Sequence, residues 1–416
     1  MVTIKKLDNG VTVVMEPLSY VGSCALGIWV RTGAVNEEDS NAGISHYIEH
    51  MMFKGTGRRT ARQIAEDVDN LGGQINAFTG KEATCYYIRM LEENLLPAMD
   101  ILFDMFTDSR FEKKEMDRER NVIKEEMKMI QDTPDEDAQD TILELVFKGS
   151  ALGRPIIGTR ASLDGIDRDR IRAYMDEEYT RDNIVVSIAG SFDPQAVCAL
   201  IEEKTADMKE TAVQKDHPEA PYAPAFKVKV KDIEQSHLSM AVRTIALDDE
   251  RRYAYSLLSS IMGGSMSSRF FQNIRERKGL AYAVYSVNTS FLRGGYFDIY
   301  AGVAHDNVEK AVEAIKEELA ALRDGGVTEE ELSKAKEQMK SGYIFGQESV
   351  SNRMFSQGKN VALLGRNFDQ DEVLRCIDAV TMEDLHDAAA VVADTSRYSG
   401  VLISNEEKDL KAMIRR

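Results

Sequence analysis

Two histidines and a glutamate fall within five consecutive positions of an apolar stretch, residues 45–53, which read SHYIEHMMF. If this stretch is helical, His46 and His50 lie one turn apart on a single face, and Glu49 points close to the same side. Two neutral imidazoles can hold a zinc ion, and a neighbouring carboxylate that stays off the ion can take a proton from water. The trio is therefore suited to hydrolysis. Its order, His-x-x-Glu-His, inverts the commoner His-Glu-x-x-His. Three fixed positions in five also arise by chance, so a third ligand is required before the pattern means much.

The stretch EKKEMDRERNVIKEEMKMIQ, residues 112–131, offers one. On a helical wheel of about 100° per residue, Val122, Ile123, Met129 and Ile130 all fall within about 60° of Glu126. This places Glu126 at the centre of an apolar stripe, where an ionised carboxylate requires a metal, a salt bridge or a proton. Glu125, about 100° away, reads as surface charge. Glu119, about 20° from Glu126 on the same wheel, can orient a ligand or hold charge beside the ion.

The elements that must position these groups alternate between two periods. Strand-like segments cover 11–16, 23–31, 73–78, 83–90 and 183–190, and the opening MVTIKKLDNGVTVV also alternates like a strand. Helix-like segments cover 41–53, 61–70, 93–107, 112–131, 135–147 and 194–205, then 250–262, 306–323 and 328–345. The pattern predicts an α+β fold of two tandem homologous domains, each a mostly antiparallel sheet with helices packed on one face. Pro218, Pro221 and Pro224 mark a linker, giving domains at 1–212 and 227–416 with 213–226 between them. The two halves look duplicated: Val30-Arg31-Thr32 and Val242-Arg243-Thr244 each lead through an acidic turn into a helix-like run, at an offset of 242 − 30 = 212. Under that offset His46, Glu49 and His50 fall on Leu258, Ile261 and Met262, ordinary core residues.

His46-Tyr-Ile-Glu49-His50 with a carboxylate 126 − 50 = 76 residues on, together with AGISHYIEHMMFKGT, GGQINAFTGKEATCYY, ALGRPIIGT and SSRFFQNIRERKGLAYAVYS, resembles the pitrilysin or insulinase family, which includes the mitochondrial processing peptidase. The resemblance runs over nearly the whole chain. It implies one zinc ion per chain held by His46, His50 and Glu126, with Glu49 as general base and Glu119 as the acid behind the ligands. It also implies that Asn76, Ala77 and Phe78 pair with a peptide substrate as an edge strand, and that Arg275 and Tyr282 contact its backbone or the developing oxyanion. Longer family members enclose a chamber with four such domains. This chain has two, so the resemblance implies a homodimer in which His46, His50 and Glu126 of one chain face Arg275 and Tyr282 of the other. The expected activity is zinc-dependent endopeptidase action on oligopeptides or unstructured segments; the alternative is a non-catalytic scaffold or partner subunit of a processing-peptidase-like complex.

Composition bounds the rest. A net charge of −18 disfavours nucleic acid and anionic membranes as partners and suits basic peptides. No window is apolar enough for a membrane span and no signal peptide is apparent, so the expected location is cytoplasmic. Cys24, Cys85, Cys198 and Cys376 are widely spaced in apolar surroundings and read as buried free thiols. Gly263-Gly264 lacks both the lysine and the spacing of a nucleotide-binding loop.

Overall fold

A computed structural model of the chain describes residues 2–212 and 221–415, and most of the expected 213–226 linker lies outside the described residues. The chain forms two compact units, each built on one mixed sheet. In the first, β1 (Thr3–Lys6), β2 (Thr12–Pro17), β3 (Ser23–Val30), β4 (Gln74–Thr79), β5 (Thr84–Leu91) and β6 (Ile184–Gly190) are ordered β1-β2-β6-β3-β5-β4. In the second, β7 (Phe226–Val230), β8 (Ser236–Thr244), β9 (Ala281–Phe291), β10 (Gly294–Val303) and β11 (Ser399–Ser404) are ordered β7-β11-β8-β10-β9.

With β1 set aside, the two orders are one topology. The first strand of each set runs parallel to the last, β2 with β6 and β7 with β11, and every other pairing is antiparallel. Duplication, suggested by one tripeptide, extends to strand order and direction throughout.

Strands β3 and β6 are buried at consecutive positions, so both faces of their sheet must be covered. Tyr86 of β5 packs edge-on to Phe106 of the Leu95–Asp108 helix, whereas Trp29, on the opposite face, packs against Phe355 of the Val350–Leu364 helix. The first helix belongs to the sheet's own repeat; the second comes from the other half of the sequence. The second unit mirrors this. Leu238, Met240, Val242 and Phe297 join a core with helices of their own repeat, while Asp298 of β10 accepts a hydrogen bond from Gln139 of the Pro134–Val146 helix.

Each repeat thus donates one helix to the other's sheet. The compact units depart from the expected division at 213–226 by these two segments: Ile344–Asp369 packs in the first unit and Lys128–Gly153 in the second. The tripeptide shared by the repeats has a role in this exchange. Arg31 donates to the carbonyl of Val361, which also accepts the Gly365 N–H, and Arg243 to that of Val146, each in the last turn of its incoming helix, where a cation is favoured.

Cys24, Cys85 and Cys198 are buried free thiols, as expected, and Cys376 is half-buried. No helix among the described residues is long and apolar enough to cross a membrane.

Candidate metal centre

The apolar positions of Ile44–Met52 drive it into the core: Ile44, Tyr47, Ile48, Met51 and Met52 are all buried. Its start depends on two glycines. Gly43 has φ +90°, and a Cβ there would lie 2.7 Å from the Ile157 carbonyl oxygen; Gly158, at φ +76°, would meet the Ala42 carbonyl oxygen at 2.2 Å. The segments AGIS and IIGT therefore interlock backbone to backbone. Gly43 has no side chain to cap the helix, and buried Glu37 supplies the missing acceptor. One carboxylate oxygen takes the Gly43 N–H (2.7 Å) and the other the Ser45 N–H (2.9 Å). Burial nevertheless pushes the Glu37 carboxyl up to about 7, against the pull of those N–H groups and of Arg154.

The Tyr47 hydroxyl donates to the Met116 carbonyl and so ties this helix to the Lys113–Asp132 helix. That crossing brings the carboxylates to the histidines. Glu126 Oε2 lies 3.8 Å from His46 Nε2 and 3.5 Å from His50 Nε2. One ligand atom from each of His46, His50 and Glu126 falls within 4.8 Å of the others. Tetrahedral bonds of about 2 Å to zinc separate ligand atoms by about 3.3 Å, so the cluster has the spacing such an ion requires.

The supporting groups fit the same purpose. Glu119 Oε2 lies 3.2 Å from His50 Nδ1, leaving Nε2 turned to the cluster, and Lys54 Nζ lies 2.7 Å from the other Glu119 oxygen. Burial, aided by the His50 charge, lowers His46 despite Glu126 and so favours the neutral imidazole that a metal ion requires. Burial also pulls His50 down, but its bonds to Glu126 and Glu119 outweigh that and raise it. The His50 contact in turn holds Glu126 below the usual carboxylate range. Glu49 stands off the trio: its carboxylate accepts the Thr79 hydroxyl at 2.5 Å, and burial raises its affinity for a proton.

One expectation needs correction. Glu126 is not at the centre of an apolar stripe, since Val122 and Met129 beside it are 48% and 59% exposed. The buried residues of this helix are Met116, Glu119, Ile123 and Met127, and their mean direction lies about 65° from Glu126 on the wheel. The wheel counted every apolar side chain as core, whereas Glu126 sits at the edge of the buried face and Glu119 within it.

Asn76, Ala77 and Phe78 lie on β4, the terminal strand of its sheet, where Phe78 packs against Trp29, Tyr87 and Phe355 while remaining 39% exposed. In the second unit, Arg275 occupies a π-helical turn, Phe271–Arg277, with its guanidinium carbon 4.8 Å from the Phe271 ring and 5.5 Å from that of Tyr282. Sequence reasoning missed Glu37, Lys54, Thr79 and Phe271. Of these only Glu37 left a trace, in the acidic turn of the repeat.

Comparison with known proteins covers both halves. Residues 12–160 match the family model described as Insulinase (Peptidase family M16), and residues 165–339 that described as Peptidase M16 inactive domain. An uncharacterized zinc protease of Bacillus subtilis is 40% identical over 398 residues, covering 95% of this chain and 97% of the relative. Another, from Rickettsia felis, is 36% identical over 404 residues, covering 97% and 98%. The crystal structure of a protease from Helicobacter pylori matches with a TM-score of 0.88 at 23% identity, covering 97% of this chain and 99% of that one. A peptidase M16 inactive domain from Pseudomonas fluorescens matches with a TM-score of 0.90 at 19% identity, covering 98% of each. These two likenesses speak for the fold alone.

Proposed function

The chain belongs to the insulinase family of peptidases, family M16, and from that premise we propose that it is a zinc-dependent endopeptidase acting on oligopeptides or unstructured protein segments. The observation that carries this reading is the convergence of His46, His50 and Glu126 beside a carboxylate, Glu49, that stays off the cluster. His46, His50 and Glu126 would hold one zinc ion per chain, a Lewis acid that acidifies water and polarises a carbonyl. Glu119, braced by Lys54, fixes the His50 ring. Glu49 takes the proton of the attacking water and passes it to the leaving nitrogen. The open side of β4 at Asn76–Phe78 holds the peptide by its backbone. Arg275, kept in place by Phe271 and Tyr282, donates to the peptide or its oxyanion together with the Tyr282 hydroxyl. The acidic balance of the chain favours basic peptides.

We also propose that the working enzyme is a homodimer, with the zinc centre of one chain facing Arg275 and Tyr282 of the other. A light-scattering mass equal to one chain in active solution would refute that arrangement. The second reading, a non-catalytic partner subunit, draws on the inactive-domain description, but that match covers residues 165–339 and the His46, His50 and Glu126 cluster lies outside it.

The deciding experiment is Glu49→Gln. The variant is expected to bind zinc at the wild-type ratio while cleavage of a quenched peptide falls by at least about 100-fold. Zinc binding with undiminished cleavage would overturn the assignment.

A further inference from the structure

Glu49 is joined to its helix by a flexible side chain, and a base must be aimed as well as present. The group that aims it lies on another element. Thr79, the last residue of β4, donates its hydroxyl to one Glu49 oxygen at 2.5 Å, and its backbone also bonds the same carboxylate.

Thr79 is itself held from outside the metal centre. The turn after it closes by Gly80 N–H donating to the Ala83 carbonyl, and is pinned to the loop after β3 by Ala34 N–H donating to the Gly80 carbonyl and Val35 N–H to that of Lys81. Behind it, the Thr84 hydroxyl donates to the Thr32 carbonyl. Gly33 fits against this turn so closely that a Cβ there would lie 2.4 Å from the Gly80 carbonyl oxygen. The branched Thr79 side chain has restricted χ1 freedom, so a fixed backbone gives a fixed hydroxyl direction.

We propose that Thr79 is a positioning residue: it sets the direction of the Glu49 carboxylate from the strand that holds the peptide, so that base and substrate are referenced to one element. The inference rests on the reading of Glu49 as base and of β4 as substrate strand, and its test separates the two. Thr79→Val keeps the branched shape and removes the hydroxyl; Thr79→Ser keeps the hydroxyl. Both are compared with Glu49→Gln for kcat, KM, zinc content and thermal midpoint.

For Thr79→Val, kcat is expected to fall about 10- to 100-fold, with KM within about twofold and zinc content and midpoint unchanged. Thr79→Ser is expected to recover kcat to within about threefold of wild type, since its hydroxyl can still donate. A Thr79→Val enzyme with wild-type kcat, beside an inactive Glu49→Gln, removes the Thr79 assignment and leaves the base. Loss of zinc or of folding in Thr79→Val without rescue by Thr79→Ser makes Thr79 structural and also overturns it. Wild-type activity in Glu49→Gln removes the base, and with it the ground for Thr79.

Discussion

The Ile44–Met52 helix and the Arg252–Gly263 helix occupy the same place in two copies of one topology, yet among the described residues only the first contributes to a cluster able to hold a metal ion. In the second copy Leu258, Ile261 and Met262 are buried and close the core. At the equivalent positions of the first stand His46, Glu49 and His50, and each has acquired a polar partner: Glu126 for both rings, Glu119 behind His50, and Thr79 for Glu49. The acidic turn before the helix diverges in the same way. Asp249 lies partly exposed and paired with Arg251, whereas its counterpart Glu37 is 1% exposed and caps the helix of His46 and His50. On the same sheet topology, the candidate site differs from its counterpart at three core positions of this helix and in the burial of one acid before it.

The largest test of this comparison makes the first copy resemble the second. The triple variant His46→Leu, Glu49→Ile, His50→Met is expected to lose zinc and reduce cleavage to background. Its thermal midpoint, measured against zinc-free wild type, should stay within about 4 °C, because Glu119 keeps Lys54 and Glu126 lies at the edge of the buried face when the imidazoles are removed. A midpoint lower by more than about 4 °C, roughly 2 kcal/mol for a chain of this size, would show that the polar network supports the fold itself.

The exchanged helices give the next test. Glu16 on β2 lies opposite Ala189, which lies opposite Ala25; Lys229 on β7 lies opposite Ile403, which lies opposite His237. Since 25 + 212 = 237, Glu16 and Lys229 are equivalent positions. Glu16 pairs with Arg353 of its incoming helix, whereas Lys229 pairs with Asp137 of its own at 2.6 Å, assisted by Lys231 at 2.7 Å. Arg353 and Asp137 occupy the fourth positions of their helices, so the same contact appears twice with its charges inverted. Were each helix to pack on the sheet of its own repeat, Asp137 would meet Glu16 and Arg353 would meet Lys229. The inversion therefore favours the exchanged arrangement. Arg353→Asp is expected to destabilise the first unit by about 3–5 kcal/mol in urea unfolding, the usual cost of breaking a largely buried pair. Adding Glu16→Lys should recover most of that. No recovery in the double variant would mean that the pair does not select the seat.

These two regions also show where sequence reasoning succeeds. The His46–His50 helix was legible because Ile44–Met52 has one strong period and three residues foreign to it, and Glu119 because it falls within the buried face of its helix; Glu126 was found by a wheel that placed it too deep, since it sits at the edge of that face. The duplication was legible from the Val-Arg-Thr tripeptide. The exchange was not, because the amphipathic pattern of a helix states that it packs but not against which of two similar sheets. The sign of Arg353 and Asp137 distinguishes the seats, and that sign has meaning only once Glu16 and Lys229 are placed. Thr79 and Lys54 were missed for a related reason: each acts on a residue of another element or turn, and no local period points at it.

The smallest effect concerns the acidic turn and is one of sign. Burial sets the Glu37 carboxyl at about 7, well above its value in an unfolded chain. Between about pH 4.3 and 7 the folded state therefore binds the proton that the unfolded state has released. The associated stability is fully present below about pH 4.3 and is lost as pH rises through 7, amounting to at most about 4 kcal/mol. Asp249 behaves oppositely. Its bonds to Arg251 hold it below the usual carboxylate range, so its contribution is present above the unfolded value and lost as pH falls. Glu37→Gln keeps one acceptor for the two helix N–H groups and does not titrate, so zinc-free variant protein should be less stable than wild type at pH 5, with a gap that narrows towards pH 8. Asp249→Asn should show a gap that instead closes towards pH 3. Parallel pH profiles for the two variants would mean that the turn is electrostatically equivalent in both copies, and that Glu37 has not been recruited to the metal helix.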